Sequence, residues 1–153
     1  MRVSLVRVAG LTSILVLGRG SLLAAAPEPC SLLTAAQVST ALGATAGEGK
    51  AVTPKVCQWA APGKNGSWQK VGLTISDAQR FAMAKMPIND SRITKTAVSG
   101  VGDEAVYGTT AGQAASITVK KGDSYFSVSL MGVPMSNAQA VATQLAKDVL
   151  ARL

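Results

Sequence analysis

Hydrophobic positions recur along this chain with two periods. Val71, Leu73 and Ile75 alternate with Gly72, Thr74 and Ser76, the twofold repeat of a strand with one buried face. The same repeat runs through Ile117 and Val119, and again through Phe126, Val128 and Leu130. Lys121, Gly122 and Asp123 separate the two runs, so together they predict a β-hairpin. Shorter strands are expected at 56–60, 96–98 and 105–109. Residues 44–54 are rich in Gly, Ala and Thr and read as a connection, and 88–95 reads as a loop.

The second period is helical. Thr34 and Gln37 have the spacing of a capping box, Leu33 and Val38 that of a hydrophobic staple, and Gly43 supplies a left-handed stop. The buried stripe of this first helix should be Val38, Ala41 and Leu42. Asp77 can cap a brief helix that carries Phe81 and ends before Pro87. After Pro134, Ser136 and Gln139 form a second candidate box. Ala138, Val141, Ala142, Leu145 and Val149 follow at the spacing of an amphipathic helix. Helix, run of strands, helix predicts an α+β fold, a mainly antiparallel sheet packed by an N-terminal and a C-terminal helix. No internal repeat or long linker divides it, so 27–153 is expected to be one domain.

The first residues follow a different plan. Arg2 and Arg7 precede an apolar run from Val8 to Leu17, and small residues stand at Ser21 and Ala24 to Ala26. That order predicts a secretory signal over 1–26. A membrane helix needs about 20 apolar residues, and Arg19 interrupts this run first. A cut after Ala26 satisfies the small-residue rule, while Pro27 leaves a cut after Ala25 open. Residues 1–26 hold three of the 15 basic residues and none of the eight acids, so the remainder carries a net charge of +4. The charges are scattered, with Lys120–Lys121 the one adjacent basic pair, and no phosphate-binding stripe for nucleic acid results. Two cysteines in an exported chain are most simply a pair, Cys30 with Cys57.

Candidate chemistry is sparse. The chain has no histidine, which removes Ser/His/Asp hydrolysis and histidine zinc sites. Ser67 and Lys70 have the Ser-x-x-Lys spacing of penicillin-recognising enzymes, but both fall at the entry to a predicted strand, where residues three apart face opposite ways. Gly100, Gly102 and Ala105 match a relaxed dinucleotide pattern, yet a strand follows where a helix is required. Asp103 and Glu104 are neighbours in an extended segment, and a turn-capping Asp103 is favoured over a catalytic pair. Met83, Met86, Met131 and Met135 fit core filler better than a copper site. No catalytic, cofactor or metal residue is assigned, and no cofactor is expected.

Pro29-Cys30-Ser31-Leu32-Leu33-Thr34, continuing through Val38 to Leu42-Gly43, resembles the opening of bacterial exported and lipoprotein domains of unknown function. Cys57-Gln58-Trp59 resembles their second cysteine beside an aromatic, and Val101-Gly102-Asp103-Glu104-Ala105 their central Gly-Asp turn. The resemblance implies an envelope location and the disulfide, and transfers no activity. Pro27, Glu28 and Pro29 stand where a lipobox would precede Cys30, which disfavours a lipid anchor.

The expected function is therefore that of a periplasmic or secreted non-enzymatic binding domain. Its partner would be an envelope protein or a small ligand, with no nucleic acid and no stable membrane span after signal cleavage. Trp68, Tyr107, Tyr125 and Arg80 are the candidate contact residues, while Trp59, beside its cysteine, is expected to pack. The alternative is a small envelope hydrolase using carboxylates and Arg or Lys. Asp103, Glu104 and Arg80 are its one plausible convergent set.

Overall fold

The computed structural model describes residues 27–153. The expected signal sequence lies outside the described residues. A 3₁₀ turn, Pro29–Ser31, leads to helix α1, Ala35–Leu42. The capping box forms in both directions: Thr34 Oγ1 accepts the Gln37 N–H at 3.2 Å, and the Gln37 side chain accepts the Thr34 N–H at 3.0 Å. Gly43 ends the helix at φ 65°, a left-handed conformation that glycine adopts without steric cost.

Three strands follow as a meander: β1 Lys50–Thr53, β2 Val56–Pro62 and β3 Trp68–Ser76. Helix α2, Ala78–Lys85, then carries the chain over the sheet to its far edge. There a second meander begins, β4 Ile93–Val98, β5 Glu104–Thr110, β6 Ala114–Lys121 and β7 Ser124–Met131, and helix α3, Met135–Leu150, completes the order. The two meanders close into one seven-stranded antiparallel sheet, β1-β2-β3-β7-β6-β5-β4, because β7 inserts between β6 and β3. The expected α+β architecture is thus present, with one disulfide.

Alternation sorts the two faces. Cys57 and Trp59, Val71 and Leu73, Phe126 to Leu130 and Ile117 to Val119 are buried on one face beneath α1 and α3. Ala138, Ala142, Leu145, Ala146 and Val149 are the buried stripe of α3. Leu33 and Val38 are both buried, as the staple requires, and Ala41 and Leu42 are partly buried against the same core. The Cys30–Cys57 bridge, with a Cα separation of 5.1 Å, pins the turn before α1 to β2. A disulfide in the fold indicates an oxidising, non-cytoplasmic compartment. Among the described residues no helix is long and apolar enough to cross a membrane.

Three expectations about elements are corrected. Residues 50–53, read as connection, form edge strand β1. All four are exposed, so no alternation of buried positions marks them, and pairing with β2 decides their conformation. β4 starts at Ile93, inside the expected loop, through pairing of Ile93 with Thr110. Helix α3 starts before its candidate box: Pro134 is the N-cap, and the Asn137 N–H donates to Pro134 O at 3.0 Å. Ser136 therefore lies inside the first turn.

Candidate functional site

The face of the sheet opposite the core is the polar set of each alternation: Thr74 and Ser76 on β3, Ser127 and Ser129 on β7, Ser116 and Thr118 on β6. α2 lies across this face. Its first turn is capped by Asp77, which accepts the Arg80 N–H at 2.8 Å. Among its side chains Phe81 alone is buried, 5.8 Å between ring centroids from Tyr125 of β7. Its last turn is held by Lys95 of β4, whose Nζ donates to Met83 O at 3.2 Å and Met86 O at 2.9 Å. Lys85 forms an ion pair with Glu104 of β5, and Lys120 lies 3.6 Å from the same carboxylate.

The two most voluminous of the open cavities described on this face differ in lining. One, of about 820 Å³, lies between α2 and the sheet and is lined by Thr74, Ser76, Gln79, Arg80, Thr118 and Ser127. The other, of about 800 Å³, lies toward the β1 edge, lined by Lys50, Val52, Pro62, Trp68 and Lys70. α2 does not reach this second region. Trp68 is 60% exposed there; Val52 (60%) lines the same cavity from β1, and Met131 (54%) lies on the same face opposite Lys70. Lys50 and Lys70 enter no ion pair among the described residues.

The four candidate contact residues do not share one site. Trp68 lines the edge cavity and Arg80 the cavity under α2. Tyr125 is half-buried against Phe81. Tyr107 sits on the core face at 8% exposure, and burial raises its phenol above the usual pKa. That placement makes Tyr107 a packing residue. Trp59 is buried in the core, as its position beside Cys57 implied.

Nor do Asp103, Glu104 and Arg80 converge. Asp103 accepts Lys121 Nζ at 2.8 Å and the Gly122 N–H at 2.7 Å, which holds its carboxyl below the usual carboxylate range. Glu104 is lowered in the same direction, chiefly by Lys85. Neither carboxylate lines the cavity that holds Arg80. The convergent set on which the hydrolase alternative rests is not assembled. Of Met83, Met86, Met131 and Met135, only Met135 packs against the core; the other three are exposed, so the core-filler expectation holds for one of them, and Met135 lies on the opposite face from Met131. Among the described residues no group of three Cys, Asp or Glu is placed to hold a metal ion.

The residues that sequence reasoning missed are the hydroxyls under α2 and the edge residues Lys50 and Val52. The signal for the first was present: Thr74, Thr118 and Ser127 are the outward positions of the strongest alternations, and a helix rather than solvent faces them. No family model, curated protein or solved structure matches this chain.

Proposed function

We propose that this is an exported domain, periplasmic or secreted, that binds an envelope protein or ligand through the uncovered part of its sheet and performs no catalysis. Trp68 carries the reading. An indole contributes most when its large apolar surface is covered, yet this one stands on a sheet face that no described element covers, with Val52 lining the same cavity and Met131 exposed on the same face opposite Lys70. Lys50, Lys70 and Glu48 line the same cavity and none of them enters an ion pair among the described residues, so the charges around the apolar patch are basic by two to one and suit a partner carrying acidic groups.

Export is supported by the N-terminal plan of basic, apolar and small residues and by the Cys30–Cys57 bridge. Similarity of the Pro29–Thr34 opening to exported domains agrees with it. The experiment is recovery of partners from envelope extract on the immobilised protein and on Trp68→Ala. A partner held by the first and lost from the second is the expected result. Recovery that is identical on both, or no specific partner on either, overturns the reading.

A further inference from the structure

A helix laid over a sheet ordinarily buries an apolar stripe against it. α2 buries Phe81 and nothing else. Under the rest of the helix β3, β6 and β7 present Thr74, Thr118 and Ser127, half-buried and too short to fill the space, and a cavity of about 820 Å³ remains. The helix is positioned by polar contacts at its ends, the Asp77 cap and the Lys95 and Lys85 clamps. Stability alone does not account for a roof over a hydroxyl floor, since aliphatic side chains there would pack as they do on the other face.

The lining has a definite chemistry. Hydroxyls both donate and accept, which suits a ligand bearing hydroxyl groups. Arg80 is the cation of the wall, and its guanidinium enters no hydrogen bond or ion pair among the described residues. The one carboxylate in the lining, Asp77, is engaged by the Arg80 N–H. A guanidinium fork fits a carboxylate or phosphate in two parallel bonds. The volume lies within the range of small-molecule sites.

We propose that the cavity between α2 and the sheet binds a small polyhydroxylated oxyanion, a sugar acid or a sugar phosphate. Arg80 holds the charged group, and Thr74, Thr118 and Ser127 meet the hydroxyls. The site shares no lining residue with the Trp68 cavity, so it goes beyond the partner surface and stands or falls independently of it.

Calorimetric titration of the exported protein with D-glucuronate, D-glucose 6-phosphate, D-glucose and inorganic phosphate tests this. At least one charged sugar should bind with a Kd of about 1 mM or tighter, and glucose and phosphate should each bind about tenfold more weakly or less. Which charged sugar binds tells carboxylate from phosphate recognition. Arg80→Gln should weaken binding about 10- to 100-fold with the melting temperature kept, because Arg80 is exposed. Ser127→Ala should weaken it less; Thr118→Ser, which keeps the hydroxyl, should retain it. Three results overturn the proposal: no saturable binding of either charged sugar, binding unchanged in Arg80→Gln, or phosphate alone binding as tightly as the sugar phosphate.

Discussion

Asp103 holds Gly122. Its Oδ2 accepts the Gly122 N–H at 2.7 Å while Oδ1 takes the Lys121 ammonium at 2.8 Å, so the turn before β5 is fastened to the hairpin joining β6 and β7. Both contacts favour the ionised carboxyl, and its pKa is lowered on folding. A group lowered in this way adds stability above its unfolded-state value and loses it as pH falls through the folded one. Glu104 and Asp90 are lowered too, by Lys85 and by Arg92. Acid should therefore weaken the fold below about pH 4 rather than near neutrality. Asp103→Asn should melt at lower temperature than the parent protein at pH 7, and the gap should narrow at pH 2; melting curves across that range decide it. A gap that is constant with pH would remove the charge from the explanation.

Gly102 makes this fastening possible. It has φ 62°, and a Cβ there would stand 2.5 Å from the Lys120 carbonyl, the acceptor of the Asp103 N–H at 2.8 Å. Gly102→Ala is expected to cost about 1–3 kcal/mol, read by denaturant unfolding. Gly100→Ala, also at positive φ but with open space around it, should cost less.

The disulfide constrains the other half of the sheet, at β2. Cys57→Ser should lower stability by roughly 2–5 kcal/mol, chiefly by freeing the unfolded chain. Protease should then reach α1 before α3, since the bridge pins the turn before α1 to β2 while α3 is held by its own buried stripe. Two titratable thiols in the native protein, or a melt unchanged by reductant, would contradict this.

Phe81→Ala should loosen α2 without opening the sheet. Phe81 packs with Tyr125 outside the main core, so the loss should be at most about 3 kcal/mol, the low end for Phe→Ala at buried sites. Hydrogen exchange should quicken across 78–86 and stay slow in β3, β6 and β7. Uniform acceleration throughout would mean that the helix and the sheet open as one unit.

What was legible in the sequence is what alternation and caps can encode. The Val71–Ile75 and Ile117–Leu130 repeats gave the central strands, and Thr34, Gln37 and Gly43 gave both ends of α1. β1 was not legible, because four exposed residues carry no burial pattern and its pairing with β2 is decided in three dimensions. Ser136 and Gln139 have box spacing, yet closure of the turn on Pro134 O takes precedence and starts α3 at Met135, one residue before Ser136. Trp68 could be singled out by its polar surroundings. The cavity holding Arg80 could not, since an outward Thr118 or Ser127 looks the same in sequence whether water or a helix faces it.

Strand order also fixes when the protein can become whole. β7 is the last strand made and the one that joins the two halves, pairing with β6 on one side and β3 on the other. Until residues 124–131 have emerged from a ribosome or a translocation pore, β3 and β6 are both raw edges, separated by about 40 residues of chain that local pairing alone cannot close. Cys30 and Cys57 lie 27 residues apart near the start and can meet long before that. We predict that a chain stalled ahead of Ser124 holds an oxidised bridge yet remains fully protease-sensitive from β3 onward, whereas one extended past Leu150 becomes resistant in a single step. Gradual resistance appearing with each added strand would rule this sequence of events out.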